Sequence, residues 1–365
     1  MHPIPVVGAG LAGAEAALQI AAAGLPVRLF EMRPQVPTGV HRGDRCAELV
    51  CSNSLGSRLP GRAAGLLQEE LDLLGSRLLS LARDHAVPAG QALAVDREAF
   101  AEAVTAAIET EPRIELVREE KSALPEAPVS IVASGPLTSP RLAAALQDLA
   151  GRKHLFFFDA IAPVVIAESL DREAIFAASR WDNGAPDYWN LALGREEYVR
   201  LVGQILSAER HPLRPFEEAD PGARAFFERC LPVEILAARG LDALRFGPLR
   251  PVGLTDPRTG RRPFAVLQFR PENRERSLYN LVGFQTNLKY GEQERILRAL
   301  PGMGEAEFVR LGSMHRNTFL CSPELLDPTL EFRRRPGLFL AGQITGMEGY
   351  LSNIGSGLLA GRNAV

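Results

Sequence analysis

Val6-Val7-Gly8-Ala9-Gly10-Leu11-Ala12-Gly13 decides the fold of this chain. The β-branched run from Ile4 to Val7 predicts a short strand, and Ala14 to Ala23 predicts an Ala/Leu-rich helix ending near Gly24. Val27 to Phe30 then predict a second strand, which completes a βαβ unit. Gly8, Gly10 and Gly13 fall in the G-x-G-x-x-G spacing, directly after a strand and opening a helix. In that context each glycine has its own task. Gly8 permits the tight turn, Gly10 lets backbone approach a pyrophosphate, and Gly13 lets helix and strand pack closely. The helix start, with Ala9, Leu11 and Ala12, offers N–H groups and partial positive charge to the same anion. Glu31, ending the second strand, is spaced to accept a hydrogen bond from a ribose hydroxyl.

Outward from this unit, Asp72 to Ala86 and Arg97 to Glu109 predict helices, and Val129 to Ala133 a buried strand opening onto the turn Ser134-Gly135-Pro136. Between about 155 and 305 prolines punctuate short mixed segments, and the α/β alternation is lost. Gly337 to Ala341 predict one more strand, followed by a glycine-rich turn and a helical segment toward Ala364. The expected architecture is α/β: a doubly wound, Rossmann-like FAD-binding domain of glutathione-reductase type with an inserted α+β domain. The expected bounds are 1–155 with 305–365 for the first domain and 156–304 for the insert. The late stretch LFLAGQITGMEGY (338–350) resembles the second flavin-contacting strand and turn of large two-domain flavoproteins. That resemblance favours FAD over NAD and adds Gly342 and Gln343 to the cofactor-binding candidates.

The 365 residues are 46% hydrophobic and 23% charged, an ordinary globular composition longer than one mononucleotide-sized domain requires. A net charge of −3 argues against blanket nucleic-acid affinity, so any RNA contact is a local basic patch. Arg245, Arg250, Arg258, Arg261 and Arg262, with Arg333 to Arg335, form either such a patch or a solvated basic face. The apolar N-terminus has no Lys or Arg before Arg28 and carries Glu15 among glycines, which is not the pattern of a signal peptide. No stretch offers about 18 uninterrupted apolar residues, so no membrane span is expected.

Four cysteines, Cys46, Cys51, Cys230 and Cys321, are too few and scattered for a secreted disulfide framework, and reduced thiols in a cytoplasm are expected. No metal site is expected, because Cys46 and Cys51 lack a second pair. On composition each cysteine reads first as a small buried hydrophobe. Cys51 precedes Ser52 and Asn53, which are helix-capping types, and a thiol near helix N–H groups would be more readily ionised. His315 stands in the polar cluster His315-Arg316-Asn317-Thr318, suited either to structural hydrogen bonding or to a polar ring-shaped ligand.

VVGAGLAGAEAA (6–17), AELVCSNSLG (47–56), SGPLTSPRL (134–142), CLPVE (230–234), LRFGPLRPVGL (244–254), LVGFQTNLKYGEQ (281–293), MHRNTF (314–319) and AGQITGMEGY (341–350) together resemble the folate- and FAD-dependent tRNA (uracil-5-)-methyltransferases. These are relatives of the glucose-inhibited division flavoproteins. The resemblance implies methyl transfer to carbon 5 of the T-loop uridine of tRNA. Methylenetetrahydrofolate would supply the carbon, FAD would carry and reduce it, and NADPH or NADH would re-reduce the flavin. It also implies that Cys230 adds to uracil carbon 6, that Cys51 acts near the flavin as base or trap, and that His315 stacks on the folate pterin. Two motifs depart from the family: Asn190-Leu191-Ala192 stands where Asn-Cys-Pro is usual, and Leu351-Ser352-Asn353-Ile354 replaces a Glu-Ser-Ala-Ala type helix start. Two alternatives stay open: a flavoprotein modifying another RNA uridine, such as one in ribosomal RNA, and an FAD-stabilised RNA-binding protein without turnover. Retention of both Cys51 and Cys230 speaks for the enzyme.

Overall fold

The computed structural model describes residues 2–38, 40–151, 155–182, 185–211 and 231–365. Strand β1 (Ile4–Val7) and β2 (Val27–Glu31) pair in parallel, with Ile4 opposite Val27 and Val7 opposite Phe30. Helix α1 (Leu11–Ala22) makes the crossover that a parallel pair requires. Its alanines are buried almost all round, because sheet and helices cover it on every side.

A small antiparallel sheet follows, built from β3 (Ser54–Ser57), β4 (Ala86–Val87) and β5 (Ala92–Val95) in the order β3-β5-β4. The helix expected over Asp72 to Ala86 is two helices, α2 (Ala63–Leu73) and α3 (Arg77–Asp84). Gly75, at φ +68°, turns the chain between them, and the Ser76 side chain accepts from Leu79 N–H to start the second. Helix α4 spans Arg97–Glu109 as expected, with Asp96 as its cap. Strands β6 (Ile114–Arg118) and β7 (Ser130–Val132) and helix α5 (Pro140–Ala150) complete this part of the chain.

The next strands are β8 (Leu155–Ala160), β9 (Val164–Ile166), β10 (Ile175–Ala177) and β11 (Trp189–Leu193). After helix α6 (Arg195–Ser207) come β12 (Ala265–Pro271), β13 (Leu278–Leu281), β14 (Phe308–Arg310) and β15 (Met314–Phe319). Six of these strands form an antiparallel sheet in the order β10-β11-β12-β13-β9-β14. Along β12 the side chains alternate: Ala265, Leu267 and Phe269 enter the local core, while Gln268 and Arg270 take the opposite face.

Strand β16 (Leu338–Leu340) returns to the first sheet and pairs in parallel with β7, giving the order β16-β7-β1-β2-β6. The chain is therefore an α/β protein with a doubly wound parallel sheet and a second, antiparallel body. Two apolar cores match this division. One draws on residues Ile4 to Ala150 and Leu320 to Ala364, the other on Val165 to Ala306. Between them the chain leaves on β8 and returns on β15, which pair antiparallel from Leu155 opposite Phe319 to Ala160 opposite Met314. The last helix (Tyr350–Asn363) lies close along α1 because a Cβ at Gly357 would stand 2.1 Å from the Ala12 carbonyl oxygen.

Candidate functional site: a glycine-lined pocket beside a clamped cysteine turn

The fingerprint turn is shaped by what its glycines lack. Gly8 holds φ +100°, and a Cβ there would lie 2.5 Å from the Ala133 carbonyl oxygen. A Cβ on Gly13 would lie 1.8 Å from the Gly8 oxygen. Gly10 differs: a Cβ there meets nothing within 4 Å, because it faces a pocket. Of the residues expected to bind the cofactor, Gly8, Gly10, Leu11, Ala12, Glu31, Gly342 and Gln343 line that pocket. Ala9 and Gly13 are not among its walls. Ala9 is buried with its N–H on Glu31 Oε2 at 3.1 Å, and Gly13 sets the helix packing.

Two further residues that the sequence did not single out as binding candidates, Tyr350 and Asn353, line the pocket. Asn353 is buried, and its Oδ1 has no hydrogen-bond partner among the described residues. A buried acceptor left unpaired on a pocket wall marks a place where a ligand donor belongs. The first turn of α1 has no side-chain cap, so its N–H groups are also unspent. Glu31 is nearly buried. Burial raises its pKa, but the Arg33 guanidinium, with N–H donors from Arg33 and Ala9, outweighs this and holds the carboxyl below its usual range. Arg33 bridges onward to Glu48 at 2.9 Å.

Cys51 does not precede a helix. Ser52 and Asn53 lead into β3, so the expected capping of the thiol by helix N–H groups is absent, and a different set of groups holds the turn. The N–H groups of Cys51 and Ser52 both donate to the Tyr350 hydroxyl, at 2.8 and 3.2 Å. On the other side, Arg97 donates to the Leu49 carbonyl, and Arg310 donates to the carbonyls of Val50 and Cys51 at 3.0 and 3.3 Å. Arg97 is itself bound to Glu272 at 2.8 Å, just beyond β12. Arg270 on β12 donates to Asn53 Oδ1 at 2.9 Å and to Ser52 Oγ at 2.7 Å, and Asn53 Nδ2 donates to the Pro271 carbonyl. Both bodies therefore grip the five residues from Leu49 to Asn53.

The Cys51 thiol is partly exposed. A negative charge at Cys51 is felt by the guanidiniums of both Arg97 and Arg310. Burial works to lower the Arg97 pKa, but Glu272 outweighs it and holds the guanidinium above its usual range. Arg310 falls to about 10 through burial and repulsion from Arg97.

Cys46 is buried, which pushes its thiol up to about 11. Cys321 is half-buried rather than fully enclosed, because it stands at the exposed start of the turn Ser322–Leu325. Cys230 and the side chain of His315 lie outside the described residues; the His315 backbone pairs with Asp159 in the β8–β15 ribbon. Arg245 covers the Phe264 ring at 4.1 Å and Arg258 binds Asp256 at 2.8 Å, whereas Arg250, Arg261 and Arg262 are exposed. Among the described residues no group of three or more His, Cys, Asp and Glu side chains could hold a metal. No described helix is long and apolar enough to cross a membrane.

The family model for glucose inhibited division protein A matches residues 3–365. A relative from Synechococcus sp. (strain JA-2-3B'a(2-13)), named methylenetetrahydrofolate–tRNA-(uracil-5-)-methyltransferase TrmFO, is 56% identical over 362 residues, covering 99% of this chain and 78% of that one. This chain belongs to that methyltransferase family, within glucose inhibited division protein A. A relative of the same name from Heliobacterium modesticaldum is 54% identical over 361 residues, 99% of this chain and 81% of its own. Among solved structures, Aquifex aeolicus GidA in its form II crystal aligns with a TM-score of 0.71 at 16% identity, over 99% of this chain and 62% of that chain. At that identity the likeness speaks for the fold.

Proposed function

We propose that this protein forms 5-methyluridine in the T-loop of tRNA, taking its carbon from methylenetetrahydrofolate, with FAD as redox group and NADPH or NADH as reductant. The observation that carries this reading is the placement of Cys51, held by both bodies between Val50 and the hydroxyl of Tyr350, two residues that line a glycine-lined dinucleotide pocket. The relatives' names supply the substrates. The pocket suits FAD: its glycine floor, the uncapped start of α1 and the unpaired Asn353 Oδ1 are the right donors and acceptors. Gly8, Gly10, Leu11 and Ala12 would hold the pyrophosphate, Glu31 a ribose, and Gly342, Gln343 and Asn353 the flavin end. When bound, FAD supplies the redox chemistry that brings the folate-derived carbon to the methyl level.

The protein's own share is thiol and base chemistry. Carbon 5 of uracil is a poor nucleophile until a thiolate adds to carbon 6, which places electron density on carbon 5. After carbon 5 has taken the one-carbon unit, a base removes its proton and the thiolate leaves. Cys230 takes the nucleophile's role and Cys51 that of base or trap. His315 stacks on the pterin.

The bodies divide the labour. Residues 1–155 with 305–365 bind the flavin and 156–304 form the inserted substrate domain; the two separate cores support such a division, with the second core and its sheet running on to Ala306 and Arg310. Few, scattered cysteines and a tRNA substrate favour a cytoplasmic setting. The test combines flavin-loaded protein, unmodified tRNA transcript, labelled methylenetetrahydrofolate and reduced nicotinamide. Labelled 5-methyluridine after nuclease digestion supports the reading; its absence with a fully yellow protein rejects it.

A further inference from the structure

Behind the cysteine turn, between the two bodies, lies a second cavity of about 400 Å³. It shares Glu48 and Val50 with the glycine-lined pocket but is walled by long charged side chains. Most of these charges are spent. Arg97 is bound to Glu272, Glu48 to Arg33, and Arg45 to Glu102. Asp96 caps α4 and accepts from the Arg274 N–H. Glu98 and Glu275 lie exposed at the rim, where water screens them.

Arg42 and Arg310 remain. Neither guanidinium hydrogen-bonds a carboxylate among the described residues, although the Arg42 backbone N–H donates to Glu48 Oε1 at 2.7 Å. The Arg42 side chain donates to the Val309 carbonyl, at 3.0 Å. Arg310 spends its two terminal nitrogens on the carbonyls of Val50 and Cys51, while its buried Nε–H has no hydrogen-bond partner among the described residues. Burial, Arg97 and Arg42 weaken the hold of Arg310 on its proton, and Glu272 offsets this only in part. An unpaired donor on a charged group, among like charges and beside an open cavity, is the arrangement an anion relieves.

We propose that this cavity receives the anionic tail of a small-molecule co-substrate, a carboxylate or phosphate bound by Arg310 and Arg42. The substrate class rests on the methyltransferase reading, which offers two sources: the glutamyl carboxylates of the folate and the phosphates of the reduced nicotinamide dinucleotide. Because the same guanidinium holds the Val50 and Cys51 carbonyls, a tail seated there would fix its ligand relative to the cysteine turn. Arg310 acts in this as a binding residue.

The test uses the flavin-loaded protein, so that the fingerprint pocket is filled, with R42A and R310K as variants. Binding is titrated by calorimetry with two matched pairs: tetrahydrofolate against tetrahydropteroate, which lacks the glutamate, and NADPH against dihydronicotinamide riboside, which lacks phosphate. In both variants the tail-bearing member of one pair should bind at least about tenfold more weakly, or about 1.4 kcal/mol, while its tail-less partner is unchanged. The pair affected identifies the source. Unchanged affinities throughout, or equal losses for tailed and tail-less ligands, would overturn the inference. If the wild type binds neither folate nor nicotinamide, the methyltransferase reading fails instead. The cavity is then judged on inorganic phosphate, whose binding must fall in both variants for the inference to stand.

Discussion

The two hollows on either side of the Leu49–Cys51 segment are built by opposite means. The fingerprint pocket is made of missing side chains: Gly8, Gly10, Gly135 and Gly342, an uncapped helix start and one unpaired amide oxygen. The second cavity is made of long side chains that cross from body to body and end on backbone carbonyls. A site of the first kind is fixed by local chain geometry and fails when anything is added. A site of the second kind is fixed by pairings and fails when a partner is removed.

The largest effects should fall on the two thiols assigned to the reaction. Cys51→Ala and Cys230→Ala should each lower methyl transfer by orders of magnitude with flavin still bound, because a reaction path is deleted rather than a contact. A transcript carrying 5-fluorouridine at the target should be trapped covalently by the wild type and not by Cys230→Ala; wild-type turnover in both cysteine variants would refute the assignment. Next come the glycines, which separate fold from ligand. Gly13→Val should leave no folded protein, since its Cβ would sit 1.8 Å from the Gly8 oxygen. Gly10→Val should keep a native circular dichroism spectrum but lose flavin absorbance, because the added bulk enters only the pocket.

On the side-chain half, Glu272→Gln leaves the Arg97 charge mostly buried and unmatched, and denaturant unfolding should show a loss of about 3 kcal/mol. Tyr350→Phe strands two N–H groups at the turn and should cost about 1 to 3 kcal/mol by the same measurement. The smallest effect concerns Cys46. Burial raises its folded pKa to about 11, so the stability from keeping this thiol neutral is complete below about pH 9 and is lost as pH rises toward 11. Maleimide labelling of the native protein at neutral pH should mark Cys51 and Cys321 and spare Cys46.

The same contrast explains what could be read from the sequence. The fingerprint, β1, α1, β2, α4 and the late strand β16 were legible because spacing along the chain determines them. Gly75 broke a helix that the apolar pattern alone ran straight through. Cys51 was legible as a candidate, but its surroundings were not. Its turn is held by residues 48, 259 and 299 positions away, and no local pattern encodes such partners. Asn353 was noticed only as a departure from the family's usual helix start. Its unpaired oxygen is visible only once the last helix is laid against α1.

The chain enters and leaves the antiparallel body through neighbouring strands, β8 and β15. A unit whose two ends meet side by side is a cassette: it can lengthen, shorten or be replaced without rethreading its host. Selection acting on the cassette therefore leaves the parallel sheet as it is. The constraint on such an exchange is narrow, since a replacement must still present an acidic partner to Arg97 and a basic one to Ser52 and Asn53.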